Sequence, residues 1–190
     1  MRALAPLLAM ACGLAGCSAL PEPRADDPQL RIVSLNPCTD AILAEVAPRK
    51  LVAVSSYSHD PSASSMPVDR ARRWPATGGS VEEIMAARAD MVVASSFLPP
   101  ATRSALDRLD IPVVTFGMAH DVEGNLAQVR ELADAVGETQ AGAALVARIE
   151  AALADAAPRS DSAGPEVILW QPGGIVAGEG ALVVDLMRRV

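Results

Sequence analysis

Residues 31–60 read RIVSLNPCTDAILAEVAPRKLVAVSSYSHD, and this stretch decides the fold. Two short apolar runs, at 31–35 and 51–54, are typical of strands that are buried on both faces. Between them Asn36 and Pro37 predict a helix start, because asparagine caps a first turn and proline is tolerated at the first helical position. The stretch therefore predicts a strand–helix–strand unit of a parallel sheet, in which ligands bind beyond the carboxyl ends of the strands.

The alternation of strands and helices continues to about residue 120. Ser80, followed three residues later by Glu83, forms a capping box that marks one helix start. The further predicted elements are strands at 91–94 and 111–116 and helices that start at 80 and 100, with 61–77 as a long connection. Together they predict an α/β fold in which residues 31–120 form an N-terminal lobe around a parallel sheet with flanking helices.

Two helices follow this lobe, at 122–136 and at about 139–157. Thr139 is the expected cap of the second helix, whose alanine content predicts a stiff rod because alanine has the highest helix propensity. Residues 166–170 form a predicted fifth strand, and after a Gly-rich loop residues 182–190 begin a last helix. One strand and one helix cannot build a lobe alone, so this unit either packs back on the first sheet or belongs to a fragment.

The composition excludes several classes of protein. Apolar residues make up 51% of the 190 residues, which is enough for a packed core and argues against global disorder. The 16 basic and 23 acidic residues give a net charge of -7, so nucleic acid is not an expected partner. The sequence shows neither an HExxH motif nor an evident Ser/His/Asp set, which favours a binding protein over an enzyme.

The first 30 residues do not belong to the predicted fold. After a short basic start, an apolar run of about 13 residues is too short to span a bilayer and is typical of a secretory signal. It ends in LAGC at 14–17, which resembles the bacterial lipobox and predicts a signal peptide at 1–16 and a lipid on Cys17. The alternative is an ordinary signal with a chance cysteine. Residues 17–30 then form a tether, and we expect a membrane-anchored lipoprotein of the periplasm.

Polar and aromatic side chains follow each predicted strand of the N-terminal lobe. Because the carboxyl ends of parallel strands share one edge of the sheet, we expect these side chains to line a ligand-binding surface. The expected ligand-binding residues are Asn36, Ser56, Tyr57, Ser96, Phe97, Met118 and His120.

Three side chains leave alternatives open. His59 and His120 could ligate haem iron or corrinoid cobalt, although a solvated loop histidine is the commoner case. Cys38 is the one cysteine that follows Cys17, so an internal disulfide is not expected. A helix start can activate a thiol, yet a lone cysteine is more often a small buried residue. An α/β enzyme that uses Cys38 or a loop histidine is therefore the alternative to a binding protein.

Four passages in this order resemble the periplasmic substrate-binding proteins of cobalamin and iron–siderophore ABC importers. They are RIVSLNP at 31–37, VAVSSYS at 52–58, SVEEI at 80–84 with ADMVVA at 89–94, and LDIPVV at 109–114. The resemblance implies two α/β lobes that are joined by one long rigid helix, here at about 139–157, with a ligand between the lobes. It also implies that residues 165–190 open a second lobe, most of which is absent.

The resemblance implies roles for individual residues as well. Tyr57 lies where the cobalamin-binding members have a cleft tyrosine, and Trp74 falls near the place of their cleft tryptophan. Glu82 matches a glutamate that pairs with arginines of the membrane permease. The expected function is a lipid-anchored periplasmic receptor that binds cobalamin, haem or a ferric siderophore and delivers it to an ABC importer, without a cofactor of its own. An inactive receptor fragment is a further alternative.

Overall fold

The computed structural model describes residues 29–158 and 166–190, and its centre is a five-stranded sheet. The strand order is β3-β2-β1-β4-β5, and every neighbouring pair is parallel. The strands are β1 Ile32–Ser34, β2 Leu51–Ser55, β3 Ala76–Thr77, β4 Met91–Ser95 and β5 Val113–Phe116. The predicted parallel α/β fold is confirmed. The predicted signal peptide at 1–16, the lipid site Cys17 and most of the tether lie outside the described residues.

Helices cover both faces of the sheet. On one side lie α1 Pro37–Val46, α5 Val122–Ala135 and α6 Thr139–Ala156, and on the other α3 Val81–Ala86 and α4 Pro100–Arg108. The remaining helical elements are a 3-10 turn at Ser56–His59, α2 Val68–Ala71 and α7 Leu182–Arg189. Within residues 29–158 and 166–190, we find no helix with the length and apolar character needed to cross a bilayer.

The alternation of side chains along β1 builds a core on each face of the sheet. Ile32 belongs to the cluster that contains Leu43 of α1. Its neighbour Val33 belongs to the opposite cluster, with Ile84 of α3 and Leu106 of α4. All five side chains are fully buried, which contributes about 1.5–3 kcal/mol for each large aliphatic residue. The sheet is thus the middle layer of three, with helices packed against both of its faces.

The stretch 61–77 contains more structure than the sequence indicates. It holds α2 and the short strand β3, which pairs with the end of β2 through Ala76 opposite Val54 and Thr77 opposite Ser55. A two-residue strand shows no alternation, so no sequence pattern could indicate it. It nevertheless adds a fifth strand to the sheet and covers the outer edge of β2.

The predicted strand at 166–170 is largely wrong. Only Trp170–Gln171 forms a strand, β6, and it pairs antiparallel with β7 at Ile175–Val176 in a small hairpin. Part of the expected Gly-rich loop is therefore strand. Residues 166–169 have no neighbouring strand within the described chain, and a strand without a neighbour leaves its backbone hydrogen-bonding groups unpaired.

The long helix α6 is present, but its start differs from the expectation. Glu138 is the N-cap residue, without a side-chain hydrogen bond, and Thr139 is the first helical residue rather than the cap. The 18 residues span about 27 Å. Its buried positions, Gly142 and Val146, both lie in the first half, where the helix packs on α1 and α5. Its role as the connection between two lobes stays a prediction.

The last helix, α7, packs on α5 and not on the sheet. The Asp185 carboxylate accepts a hydrogen bond from the Val122 amide at 2.9 Å. The Arg189 guanidinium donates to both carboxylate oxygens of Glu123, at 2.7 and 2.8 Å. Leu182 and Leu186 extend the apolar cluster between α5 and α6. The final helix is therefore attached to α5 by hydrogen bonds, an ion pair and apolar contacts.

Candidate ligand-binding site

The strand order creates a crevice at the carboxyl edge of the sheet. The chain runs outward from β1 through β2 to β3, then returns to β4 on the other side of β1 and continues to β5. The loops after β1 and β4 therefore turn in opposite directions, and ligands of open α/β sheets bind at such a switch point. The sequence alone predicts that a ligand binds at the carboxyl edge of the sheet. The strand order is needed to place the crevice between β1 and β4.

A cleft of about 430 Å³ opens at this position, and we call it the switch-point cleft. Its walls come from the loops after β1, β4 and β5 and from the helices α1, α5 and α7. Side chains that line it include Asn36, Phe97, Phe116, Met118, Gln128 and Leu182. Most of this lining is apolar, which is typical of sites for small molecules.

A shallower hollow of about 370 Å³ lies next to the cleft, and we call it the Tyr57 depression. It is lined by the 3-10 turn after β2, by residues 77–80 and by the loop after β4. Ser95 and Phe97 belong to both hollows. The two hollows therefore form one continuous surface along the edge of the sheet.

Three large side chains are exposed on this surface. The exposed fractions are 75% for Phe97, 70% for Met118 and 64% for Tyr57. Aromatic rings offer a large contact area at a small entropy cost and suit a flat ligand. A group of exposed apolar side chains in a concave surface is typical of a binding site. The structure thus brings together five of the predicted residues: Asn36, Ser56, Tyr57, Phe97 and Met118.

The same local hydrogen bond fixes the backbone beneath both aromatic rings. The Ser55 hydroxyl accepts from the Tyr57 amide at 3.3 Å, and the Ser95 hydroxyl accepts from the Phe97 amide at 3.3 Å. Serine side chains commonly form such turns with the amide two residues later. The sequence indicates this serine turn, because both strands end in Ser-Ser followed by an aromatic residue.

Trp74 and His59 do not line either hollow. The Trp74 indole packs against the core on the α1 face, and its Nε1 donates to the Pro48 carbonyl at 3.3 Å. His59 Nε2 lies 3.3 and 3.2 Å from the carbonyl oxygens of Ala71 and Trp74, so this nitrogen acts as a donor. The geometry therefore supports neither Trp74 as a cleft residue nor His59 as a metal ligand through Nε2.

His120, Ser96 and Cys38 lie around the rim. His120 is exposed, and its Nδ1 lies 3.1 Å from the Gly180 carbonyl beside α7. Ser96 is exposed and is bonded through its amide to the Phe116 carbonyl at 2.9 Å. Cys38 is exposed and lines the switch-point cleft, so the expectation of a small buried residue is wrong.

The lining of both hollows carries no charged side chain within the part of the chain that the structure describes. Its polar groups are amides and hydroxyls. The Gln128 side chain donates to the Gly117 carbonyl at 3.1 Å and holds the loop after β5. Asn36 accepts from the Cys38 amide at 2.8 Å, which confirms the predicted helix cap. Among residues 29–158 and 166–190, we find no group of three or more His, Cys, Asp or Glu side chains placed to hold a metal ion.

One carboxyl group lies directly beneath this surface, and the sequence reasoning missed it. Asp40 of α1 is fully buried, and its Oδ2 accepts from the Ser58 hydroxyl at 2.6 Å and from the Ser55 amide at 2.9 Å. Burial raises the pKa of Asp40 to about 6, although these hydrogen bonds oppose the shift. A signal was available, because Asp40 precedes the buried Leu43 by three residues and so lies on the same helix face.

Glu82 is exposed in the first turn of α3 and is not needed to cap that helix. The cap is formed by its neighbour, because the Ser80 hydroxyl accepts from the Glu83 amide at 3.2 Å and the Glu83 carboxylate accepts from the Ser80 amide at 3.1 Å. The predicted capping box is therefore confirmed, and the Glu82 side chain has no part in it.

Comparisons with known proteins agree with this geometry. The family described as periplasmic binding protein matches residues 32–190. A cobalamin-binding protein of Halobacterium salinarum is 29% identical over 158 residues, which cover 80% of this chain and 42% of that protein. The protein from a second strain of the same species gives the same figures. The chain thus spans less than half the length of these relatives.

Solved structures share the fold. The periplasmic haem-binding protein BhuT, in complex with two haems, is 27% identical with a TM-score of 0.60, covering 84% of this chain and 64% of that one. A periplasmic haem-binding protein from Roseiflexus sp. RS-1 is 23% identical, with a TM-score of 0.63 and coverages of 85% and 64%. The vitamin B12-binding protein of Vibrio cholerae is 22% identical, with a TM-score of 0.52 and coverages of 66% and 48%.

Proposed function

We propose that this chain, which belongs to the periplasmic binding protein family, forms one wall of the ligand site in a lipid-anchored receptor that delivers cobalamin to an ABC importer. The observation that carries the proposal is the uncharged surface at the switch point. There Phe97, Met118 and Tyr57 are exposed on the concave edge of a rigid sheet. The family and the named relatives are binding proteins. We therefore assign the chain to binding and not to catalysis.

The chemistry of the lining favours cobalamin over the other metal chelates. A corrin ring carries neutral amide groups around its rim, whereas haem carries two carboxylates and many ferric siderophores are anionic. Asn36 and Gln128 can form hydrogen bonds with amides. A carboxylate that enters an apolar cleft needs a cationic partner, because desolvation of an unpaired charge is costly. The described lining offers no lysine or arginine for that purpose.

Haem is the second candidate, and His120 is the observation that favours it. Its imidazole is exposed at the rim, and because Nδ1 is bonded to the Gly180 carbonyl, Nε2 is the nitrogen left for an iron atom. Five of the similar solved structures are haem-binding proteins by name. The two candidates differ in the side chain on which they depend, which makes them separable by experiment.

Titration calorimetry with cyanocobalamin, haemin and ferric siderophores tests the proposal. We expect cyanocobalamin to bind this chain more weakly than about 1 μM, because one wall buries only part of a ligand that a full cleft encloses. Phe97→Ala should weaken the binding about fivefold to tenfold through loss of ring contact. Met85→Ala is the matched control, since Met85 is an exposed apolar side chain on α3 outside both hollows. Tight haemin binding that His120→Ala abolishes would instead establish the second candidate.

We further propose that Glu82 docks the receptor on its permease. The carboxylate is exposed, and Glu83 alone completes the cap, so Glu82 is available for a partner. In a receptor with both lobes, Glu82→Lys should preserve ligand affinity and weaken binding to permease in nanodiscs, because like charges across an interface cost several kcal/mol. Glu131→Lys, an equal charge change at an exposed position of α5, is the control. Equal docking by the wild type and Glu82→Lys would end the hypothesis.

The lipid anchor on Cys17 is also a proposal, and it rests on the sequence alone. Stable membrane attachment needs more than one acyl chain, as a lipoprotein cysteine provides. Cys17→Ala should move the protein from the membrane fraction to the soluble periplasmic fraction. Cys38→Ala, which removes the other cysteine after the signal, should leave the distribution unchanged. Membrane association that persists in Cys17→Ala would contradict the anchor.

A further inference from the structure

Asp40 connects the rigid core of the N-terminal lobe to the turn that carries Tyr57. Its buried Oδ2 accepts from Ser55, at the end of β2, and from Ser58, within the 3-10 turn. These two partners lie on either side of Tyr57 in the chain. A hydrogen bond to an ionised carboxylate is about twice as strong as a neutral one. The charge on Asp40 therefore determines how firmly α1 holds the turn.

The turn has a second attachment on its far side. His59 Nε2 contacts the carbonyl oxygens of Ala71 and Trp74, which lie between α2 and β3. The turn is thus held between α1 and the 71–74 segment, with the Tyr57 ring exposed at the ligand surface. If one of these two attachments weakens, the turn moves toward the other.

The other oxygen of the carboxyl, Oδ1, is buried without a hydrogen-bond partner among the described residues. Nearby, the Thr39 hydroxyl donates to the Asn36 carbonyl at 3.0 Å, and the Ser34 hydroxyl lies 2.8 Å from the Thr39 oxygen. A hydroxyl has one hydrogen, and either oxygen of the Ser34–Thr39 pair can be the donor. When Thr39 donates to Asn36, Ser34 donates to Thr39 and leaves Oδ1 without a donor; when the Ser34 hydroxyl turns to the carboxyl, it donates to the carboxylate and lowers its pKa. In the first arrangement, a proton on Oδ1 can be donated to Ser34.

We propose that Asp40 is a positioning residue for Tyr57, and that gain or loss of one proton on its carboxyl shifts the turn and moves the ring at the ligand surface. The two protonation states are both structurally favourable for different reasons. The carboxylate strengthens the bonds to Ser55 and Ser58, whereas the acid satisfies Oδ1. Protonation therefore weakens the hydrogen bonds that hold the turn and gives Oδ1 a hydrogen-bond partner in the core.

The electrostatics of the site support this exchange at a mild pH. Burial raises the pKa of Asp40 to about 6. From β1, β2 and the 3-10 turn the groups that face the carboxyl are the hydroxyls of Ser34 and Ser58 and the amide of Ser55. His59 is the ionisable side chain whose charge acts on the carboxyl, and this charge lowers the pKa of Asp40. The experiment must therefore separate Asp40 from His59.

Tyr57 is the only tyrosine of the chain, so ¹³C-labelled tyrosine reports on this ring with one set of NMR signals. In the wild type we expect the ring signal to shift between pH 5 and 7.5 with a midpoint of about 6. Asp40→Asn, which cannot ionise, should abolish this titration, whereas His59→Gln should retain it. Asp90→Asn is the matched control, since Asp90 accepts from the Arg31 amide at the opposite edge of the sheet.

Two outcomes would overturn the inference: a Tyr57 signal that does not titrate in the wild type, or a titration that disappears in His59→Gln and persists in Asp40→Asn. Ser58→Ala provides a second test in case Asp40→Asn does not fold. This variant keeps the carboxyl but removes one of its two links to the turn, so the amplitude of the shift should fall while the midpoint stays.

A binding measurement then links the ring to the ligand, and this step rests on the proposed function. The affinity for cyanocobalamin should change about threefold between pH 5 and 7.5, and this dependence should vanish both in Asp40→Asn and in Tyr57→Ala. A titrating ring signal without cyanocobalamin binding would refute the proposed function and leave the positioning role intact. Binding without a titrating ring signal would refute the positioning role alone.

Discussion

The five-stranded sheet and the hairpin near the end of the chain are built from similar apolar residues but have opposite surroundings. In the sheet, Ile32, Val33, Val92 and Val93 are fully buried between helices. In the segment 166–176, Ile168 is 73% and Trp170 72% exposed, and the two strands of the hairpin have two residues each. The hydrophobic character of a short stretch therefore does not determine whether it becomes a strand.

The difference teaches that a strand depends on its neighbours, whereas a helix depends less on them. Helix hydrogen bonds are formed within the helix itself, and a strand needs an adjacent strand for its own. Accordingly α7 forms close to its predicted position and packs on α5, while residues 166–169 of the same segment form no strand.

The largest expected effect on stability comes from truncating one large aliphatic side chain to alanine in each region. Leu132→Ala, in the core between α5 and the sheet, should lower the free energy of unfolding by about 2–5 kcal/mol, because a fully buried side chain leaves a cavity. Ile168→Ala should change it by less than about 0.5 kcal/mol. Urea denaturation followed by circular dichroism measures both. Equal losses would show that the exposed stretch is packed in solution, and the comparison between the two regions would fail.

This contrast also explains how much of the fold could be predicted. Parallel strands that are covered on both faces carry a strong signal, and β1, β2, β4 and β5 were found within two residues of their bounds. The edge strand β3 and the hairpin were not found, because strands of two residues carry no periodicity. Their existence is decided by tertiary contacts that a local window of sequence does not contain.

The candidate site was predictable to the same extent. The loops after the strands pointed to Tyr57, Phe97 and Met118, since the carboxyl edge of a parallel sheet is common to all of its strands. Trp74 lies outside both hollows, and its position depends on α2 and β3, which no sequence pattern indicates. Asp40 was overlooked because an acid in a first helical turn is usually explained by the helix dipole, and only the fold buries it.

A second pair of side chains sharpens the comparison, because α1 beside the sheet and α7 after the hairpin each hold an aspartate that accepts from a backbone amide. The folded state holds the proton of Asp40 more tightly than the unfolded chain, because its pKa is about 6 instead of 3.8. Its contribution to stability is therefore complete below pH 4 and is lost as the pH rises through 6. Two pKa units correspond to about 3 kcal/mol.

Asp40→Asn should accordingly be more stable, relative to the wild type, at pH 7.5 than at pH 4, by up to about 3 kcal/mol. The asparagine keeps an acceptor for Ser55 and Ser58 and places an amide donor where the acid would hold its proton. Chemical denaturation of both proteins at a series of pH values measures the difference. A difference that is independent of pH would show that Asp40 is ionised without cost, and its buried Oδ1 would then need another partner.

The smallest effect is expected at Asp185, the aspartate that attaches α7, and it should have the opposite sign. The Val122 amide and then Arg189 hold the pKa of Asp185 below its ordinary value. A lowered pKa in the folded state gives stability that is present above pH 4 and is lost as the pH falls through the folded pKa.

Because the carboxylate is partly exposed, solvent screens the ion pair with Arg189, and the hydrogen bond to the backbone is the larger contribution. Asp185→Ala, which removes the acceptor, should therefore leave global unfolding almost unchanged while the Val122 amide exchanges its hydrogen faster at pH 6, and 1 M NaCl should reduce this effect only slightly. If the Val122 amide exchanges equally fast in both proteins, α7 is not attached to α5 in solution, and the final segment moves independently of the N-terminal lobe.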